Sequence, residues 1–154
     1  FLDGDLDAGR HWFDYDGLDT LADYGVTIAD RSRRDDATVA ALRDAFDAVL
    51  PSAHRSFLRS TQASHRCGDF FFAHAGVRPG VPLHRQAARD LMWIRSPFLD
   101  STLDHGAVVV HGHSIAERPQ LRPNRIGIDT GAYRSGILTC LVLDGRSRHF
   151  LHTG

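Results

Sequence analysis

Between Asp35 and Leu50 the apolar positions Val39, Leu42, Phe46 and Val49–Leu50 recur at helical spacing. Asp35 or Asp36 stands where an N-cap is needed, and Pro51 where the helix must stop. This is the clearest helix in the chain, and a second short one is expected near Ser52–Ser60. Upstream, the text from Gly9 to Asp36 is aromatic and interrupted by glycine, too irregular for a long helix; Leu18–Tyr24 predicts one or two turns. After residue 60 the pattern changes to short strands. "QASHRCG" and "FFFAHAG" flank Gly68–Asp69 and predict an antiparallel pair. "RPGVPL" reads as a loop and "HRQAARDLMWIR", with Leu91 and Ile94, as a short helix. "AVVVHGH" reads as a buried strand, and "RIGIDTG", "GILTCLVLDG" and "SRHFLHTG" as the closing strands of a sheet. Helices mixed with strands predict an α/β (α+β) chain. Neither a repeat nor a linker interrupts it, so one domain over residues 1–154 is expected.

Composition narrows the class of function. At 154 residues, 42% hydrophobic and 24% charged, the chain matches one soluble domain with one core, burying about 70% of its unfolded surface. No window is apolar enough to span a bilayer. Formal charge is -1 with the signs interspersed, so no nucleic-acid footprint is expected. Cys67 and Cys140 lack metal or redox spacing and are expected to be small buried residues, with the cytoplasm as compartment. The chain opens on "FLDGDLDAG" without methionine and is expected to be a piece of something longer.

Two segments share one grammar: an apolar strand, a histidine, then a small residue. They are "FFFAHAG" with His74 and "VVVHGHS" with His113. A strand end holds an imidazole firmly, and the small neighbour is expected to clear space for an ion or substrate. The same pattern also suits a structural histidine held by hydrogen bonds. His111 lies two residues before His113, so on a regular strand both would face one way and His111 could be a third ligand. If the chain turns at Gly112, His111 instead stands behind the ligands or faces substrate. The histidines at 11, 54, 65, 84, 105, 149 and 152 read as surface residues.

In that order, "FFFAHAGVRPGVPLHRQAARDLMWIRSPFL", "VVVHGHS" and "RPNRIGIDTGAY" resemble the C-terminal half of bacterial calcineurin-like metallophosphoesterases. The nearest look is to the branch of serine/threonine protein phosphatases and symmetrical diadenosine tetraphosphatases. The resemblance implies part of a four-layer αββα β-sandwich with flanking helices. It implies two divalent ions, manganese first, with iron, zinc, nickel or magnesium as alternatives. His74 would bind one ion and His113 the other. Arg95 would grip substrate phosphate and Tyr133 would stand in the active site; Asp129, placed by "IGIDTG" at the end of a neighbouring strand, reads as a turn-forming aspartate before Thr-Gly or else as the acceptor that orients a ligand histidine. The implied activity is hydrolysis of a phosphoprotein, or else of a dinucleoside polyphosphate; a non-catalytic binding module is the rival. The family's Asp-x-His, Gly-Asp-x-x-Asp-Arg-Gly and Gly-Asn-His-Glu motifs do not occur in these 154 residues, so the chain by itself is expected to be inactive.

Overall fold

The computed structural model describes residues 1–145 and 147–154, which divide into two compact units, Phe1–Thr61 and Gln62–Gly154. The fold is α/β: helices with two sheets, neither of them closed. No helix among the described residues is long and apolar enough to cross a membrane.

The first unit is helical. Helix α1 (Leu6–Phe13) begins where the Asp5 side chain accepts the Ala8 amide at 2.9 Å, and α2 (Gly17–Asp23) follows. The glycine-rich text thus holds one more helix than its periodicity predicts. Gly9 is the reason α1 can pack closely: a Cβ there would stand 2.5 Å from the Phe1 ring and 3.0 Å from Val39. Helix α3 (Asp36–Val49) starts as its sequence predicts, with Asp35 accepting from the Thr38 amide at 3.0 Å, and buries Val39, Leu42 and Phe46. Helix α4 (Ser52–Ser60) follows Pro51 and buries none of its residues.

The second unit is built on a five-stranded sheet. Strands β1 (Ser64–Cys67) and β2 (Phe70–Ala73) form the predicted hairpin, with Gly68 at φ 55° in its turn. Helices α5 (Ala88–Trp93) and α6 (Ser96–Leu99) lie between β2 and β3 (Val108–His111). The short β4 (Gln120–Leu121) and β5 (Arg125–Gly127) complete the sheet in the order β1-β2-β3-β5-β4. β2, β3 and β5 run parallel, with Phe72 opposite Val110 and Val110 opposite Ile126. Helix α7 (Ala132–Ser135) precedes β6 (Thr139–Asp144) and β7 (Ser147–His152). These last two do not close the larger sheet, as their sequence suggested; they pair with each other along their whole length.

Where one core was expected, the buried apolar residues form two clusters, one around Leu21, Val39 and Phe46, the other around Phe71, Phe98 and Val109. Each unit supplies an apolar helix face or sheet face of its own, so each closes on itself. The cysteines also differ from expectation, since both are exposed. Cys67 lies on an edge strand whose last three residues face solvent, and in β6 the residue turned inward is Thr139, not Cys140.

Candidate active site

Parallel strands in register bring their C-terminal ends to one edge, where ligand sites of open α/β sheets form. Here those ends carry His74 after β2, His111 to His113 after β3, and Asp129 after β5. The backbone ties the first two together, because the Gly112 amide donates to the His74 carbonyl at 2.8 Å. His74 Nε2 and His113 Nδ1 then lie 3.2 Å apart. His113 adopts φ 61°, one of only two non-glycine residues described in that region. Left-handed backbone costs a residue with a Cβ energy and is retained where surrounding contacts demand it.

Four neighbours, Trp93, Arg95, His74 and Asp129, define the environment of His113. The Trp93 ring meets it edge-on at 5.6 Å between centroids, and Arg95 Nη1 donates to its carbonyl at 3.4 Å. Its Nε2 is shielded from solvent with no hydrogen-bond partner. Burial pushes its pKa below the usual imidazole value; the charges of Arg95 and His74 add to this, and Asp129 opposes it. A neutral ring keeps one N–H and one lone pair, and the lone pair is what binds a metal ion or accepts a proton; at His113 the Nδ1 that meets His74 is the nitrogen placed to offer it.

His111 takes a different direction, because the strand ends at it and the chain turns at His113, where the Ser114 amide reaches back to the Gly112 carbonyl. It is 3% exposed, packed edge-on against Phe98 at 4.9 Å. Its Nδ1 is 3.1 Å from the Gly112 carbonyl and its Nε2 is 3.4 Å from Arg125 Nη1. A carbonyl can only accept and a guanidinium can only donate, so the ring is neutral with its proton on Nδ1. Burial first, with the Arg125 charge, lowers its pKa, while the Gly112 carbonyl and Asp129 act the other way. Arg125 is itself 5% exposed and is held by Gln120 Oε1 and the Leu99 carbonyl rather than by a carboxylate.

Asp129 bonds the Gly131 amide through Oδ1 at 2.9 Å, a turn-forming contact, and its charge acts on both His111 and His113. Arg95 is exposed at the start of α6. Tyr133, on α7, is 83% exposed. Nothing brings its side chain to the histidine pair.

The small residues after His74 have a packing role. Ala75 is fully buried and its amide donates to the Leu91 carbonyl at 2.7 Å. Gly76 has φ 148°, and a Cβ on it would stand 2.2 Å from Phe98 Cδ1. The missing Cβ at Gly76 leaves room for Phe98 in the core, and Ala75 lies in the same apolar cluster. At Gly112 a Cβ would find ordinary contacts, 3.6 Å or more from its nearest neighbours, so the turn does not need glycine for space. His105, read as a surface residue, is half-buried against Phe98 at 5.8 Å between rings, with Nε2 unpartnered.

Sequence reasoning passed over Trp93 and Arg125. Both had a signal: Trp93 stands inside "LMWIR", and Arg125 is a lone charge opening an apolar strand. Among the described residues no group of three or more His, Cys, Asp or Glu could hold a metal ion. His74 and His113 could supply two nitrogens to a metal ion, but the described residues bring no third such ligand to them. A scan against protein-family models finds no match, and a search of curated proteins finds none.

Proposed function

We propose that this chain is the histidine-bearing part of a calcineurin-like, two-metal phosphoesterase acting in the cytoplasm on serine/threonine phosphoproteins. The observation that carries the reading is the approach of His74 Nε2 to His113 Nδ1, 3.2 Å apart at the ends of adjacent parallel strands, with Arg95 beside them. The order of the motifs along the chain supports it as well.

The two rings are within hydrogen-bond distance of each other, and His74 and His113 would be the residues of this chain to hold a divalent ion there. Divalent ions in such a site would supply a water acidified toward neutrality as the nucleophile. The residues of this chain do the rest of the work. His113 stays neutral because it is shielded and faces Arg95. The Trp93 edge restricts the rotation of its ring. His111, held between Arg125 and the Gly112 carbonyl, stabilises the turn that aims His113 at His74. The Arg95 fork suits two oxygens of a phosphate, which a lysine would grip only as a point charge. Asp129 partly offsets the surrounding positive charge.

Titration of the chain with manganese tests the ligand pair. One weak site is expected, lost in both His74→Ala and His113→Ala. Binding that survives both substitutions would refute the assignment. In the longer protein, hydrolysis of phosphoserine peptides in preference to diadenosine tetraphosphate is expected; the reverse preference would place it among the dinucleoside polyphosphate hydrolases. Finding no Asp-x-His or Gly-Asp-x-x-Asp-Arg-Gly encoded in frame upstream would favour a binding module instead.

A further inference from the structure

Beside the histidine pair runs an open groove of about 510 Å³, lined by Arg78, Arg89, Trp93, Arg95 and Pro97 among others. Its one carboxylate, Asp90, is already matched: Arg78 Nε and Nη2 each bond one of its oxygens at 2.7 Å. Arg89 forms no hydrogen bond or ion pair among the described residues, and Arg95 has only the His113 carbonyl at 3.4 Å. Three guanidiniums thus share one carboxylate: Asp90 is bonded by Arg78 and only acted on by the charge of Arg89, which leaves the groove with net positive charge. The groove is continuous with the candidate active site, because Trp93 and Arg95 belong to both.

We infer that this groove binds acidic side chains flanking the phosphorylated residue of a peptide substrate, with Arg89 as the residue that selects them. The inference rests on the phosphoesterase reading for the phosphate itself. Arg89 and Trp93 are four residues apart on α5 and so lie on one face of it, about 6 Å along the axis, a span that two residues of an extended peptide cover. The apolar surfaces of Trp93 and Pro97 give peptide backbone and side-chain stems a wall to lie on, and a guanidinium pairs with a carboxylate in fork geometry.

Four labelled peptides of one sequence separate the contributions: phosphoserine or serine at the centre, and Asp or Asn at the second and third positions on either side. Anisotropy with the 154-residue chain and manganese chloride at low salt gives their affinities. The acidic phosphopeptide is expected to bind about fivefold tighter than the neutral one, a gain that shrinks as salt rises. In Arg89→Ala the ratio should fall to one, and in Arg89→Glu it should invert. A ratio of one in the unsubstituted chain, or a ratio that Arg89→Ala leaves intact, overturns the inference while phosphate-dependent binding upholds the active-site reading. If serine and phosphoserine peptides bind alike but the acidic gain still depends on Arg89, the groove stands and the phosphate site falls. Tripolyphosphate that binds tighter than the acidic phosphopeptide, with the same dependence on Arg89, would replace the peptide by a condensed phosphate.

Discussion

His111 and His113 are two residues apart and live in opposite chemical settings. One is locked in the core between a guanidinium and a carbonyl; the other, at the C-terminal end of the strands, meets a second imidazole through Nδ1 and has no partner for Nε2 among the described residues. His105 shares one property with them, a pKa pushed below its usual 6.5, in its case by burial with Asp104 opposing. The sign follows from proton binding. Below about pH 6.5 the unfolded chain takes protons that the folded histidines resist, so stability falls as pH drops through that range toward the folded values. Asp90, lowered from 3.8 chiefly by its bonds from Arg78, adds a second loss at lower pH, because its stabilisation is present above the unfolded pKa and disappears as the folded carboxylate is protonated. The midpoint of urea unfolding should therefore be lower at about pH 5.5 than at about pH 7.5. His105→Leu should narrow that difference. An unchanged difference would show that His105 is not one of the groups responsible.

At the level of elements, the connection from β2 to α5 is held by contact with α6. Gly76 follows the His-Ala pair at φ 148° with the Phe98 ring pressed where a side chain would begin. Gly76→Ala combines backbone strain with overpacking against a fully buried ring, and should cost about 2–5 kcal/mol in denaturant unfolding. A cost below about 1 kcal/mol would mean that Phe98 moves aside easily. The same packing accounts for the shape of the motif: small residues follow His74 because the chain dives under Phe98 there, and this fixes the direction from which the imidazole emerges.

For the molecule as a whole, the decisive fact is that two imidazoles converge and that, among the described residues, no group of three or more His, Cys, Asp or Glu surrounds them. With manganese and p-nitrophenyl phosphate, the 154-residue chain should show no turnover above the metal alone. Turnover comparable to that of a complete two-metal phosphatase would mean that these residues suffice, and the search for further ligands would have to turn inward, beginning with Asp129.

Much of this was legible in the chain. The start of α3 at Asp35, the bounds of α4 after Pro51, the β1–β2 hairpin at Gly68–Asp69 and the buried β3 all follow from local rules of capping, turn chemistry and periodicity. Those rules act between residues near in sequence, and so they can be read there. They could not say that Thr139 rather than Cys140 turns inward, that β6 and β7 pair only with each other, or that Ala75 and Gly76 serve Phe98. Nor could they choose between His111 and His113, which alternation would place on one face. That choice depends on where β3 stops and on Arg125, brought from fourteen positions away by strand pairing. The residue types needed for a site were set by the sequence. Which of them meet, at what distance and in which protonation state was decided by tertiary structure, because those are properties of neighbours that only folding assembles.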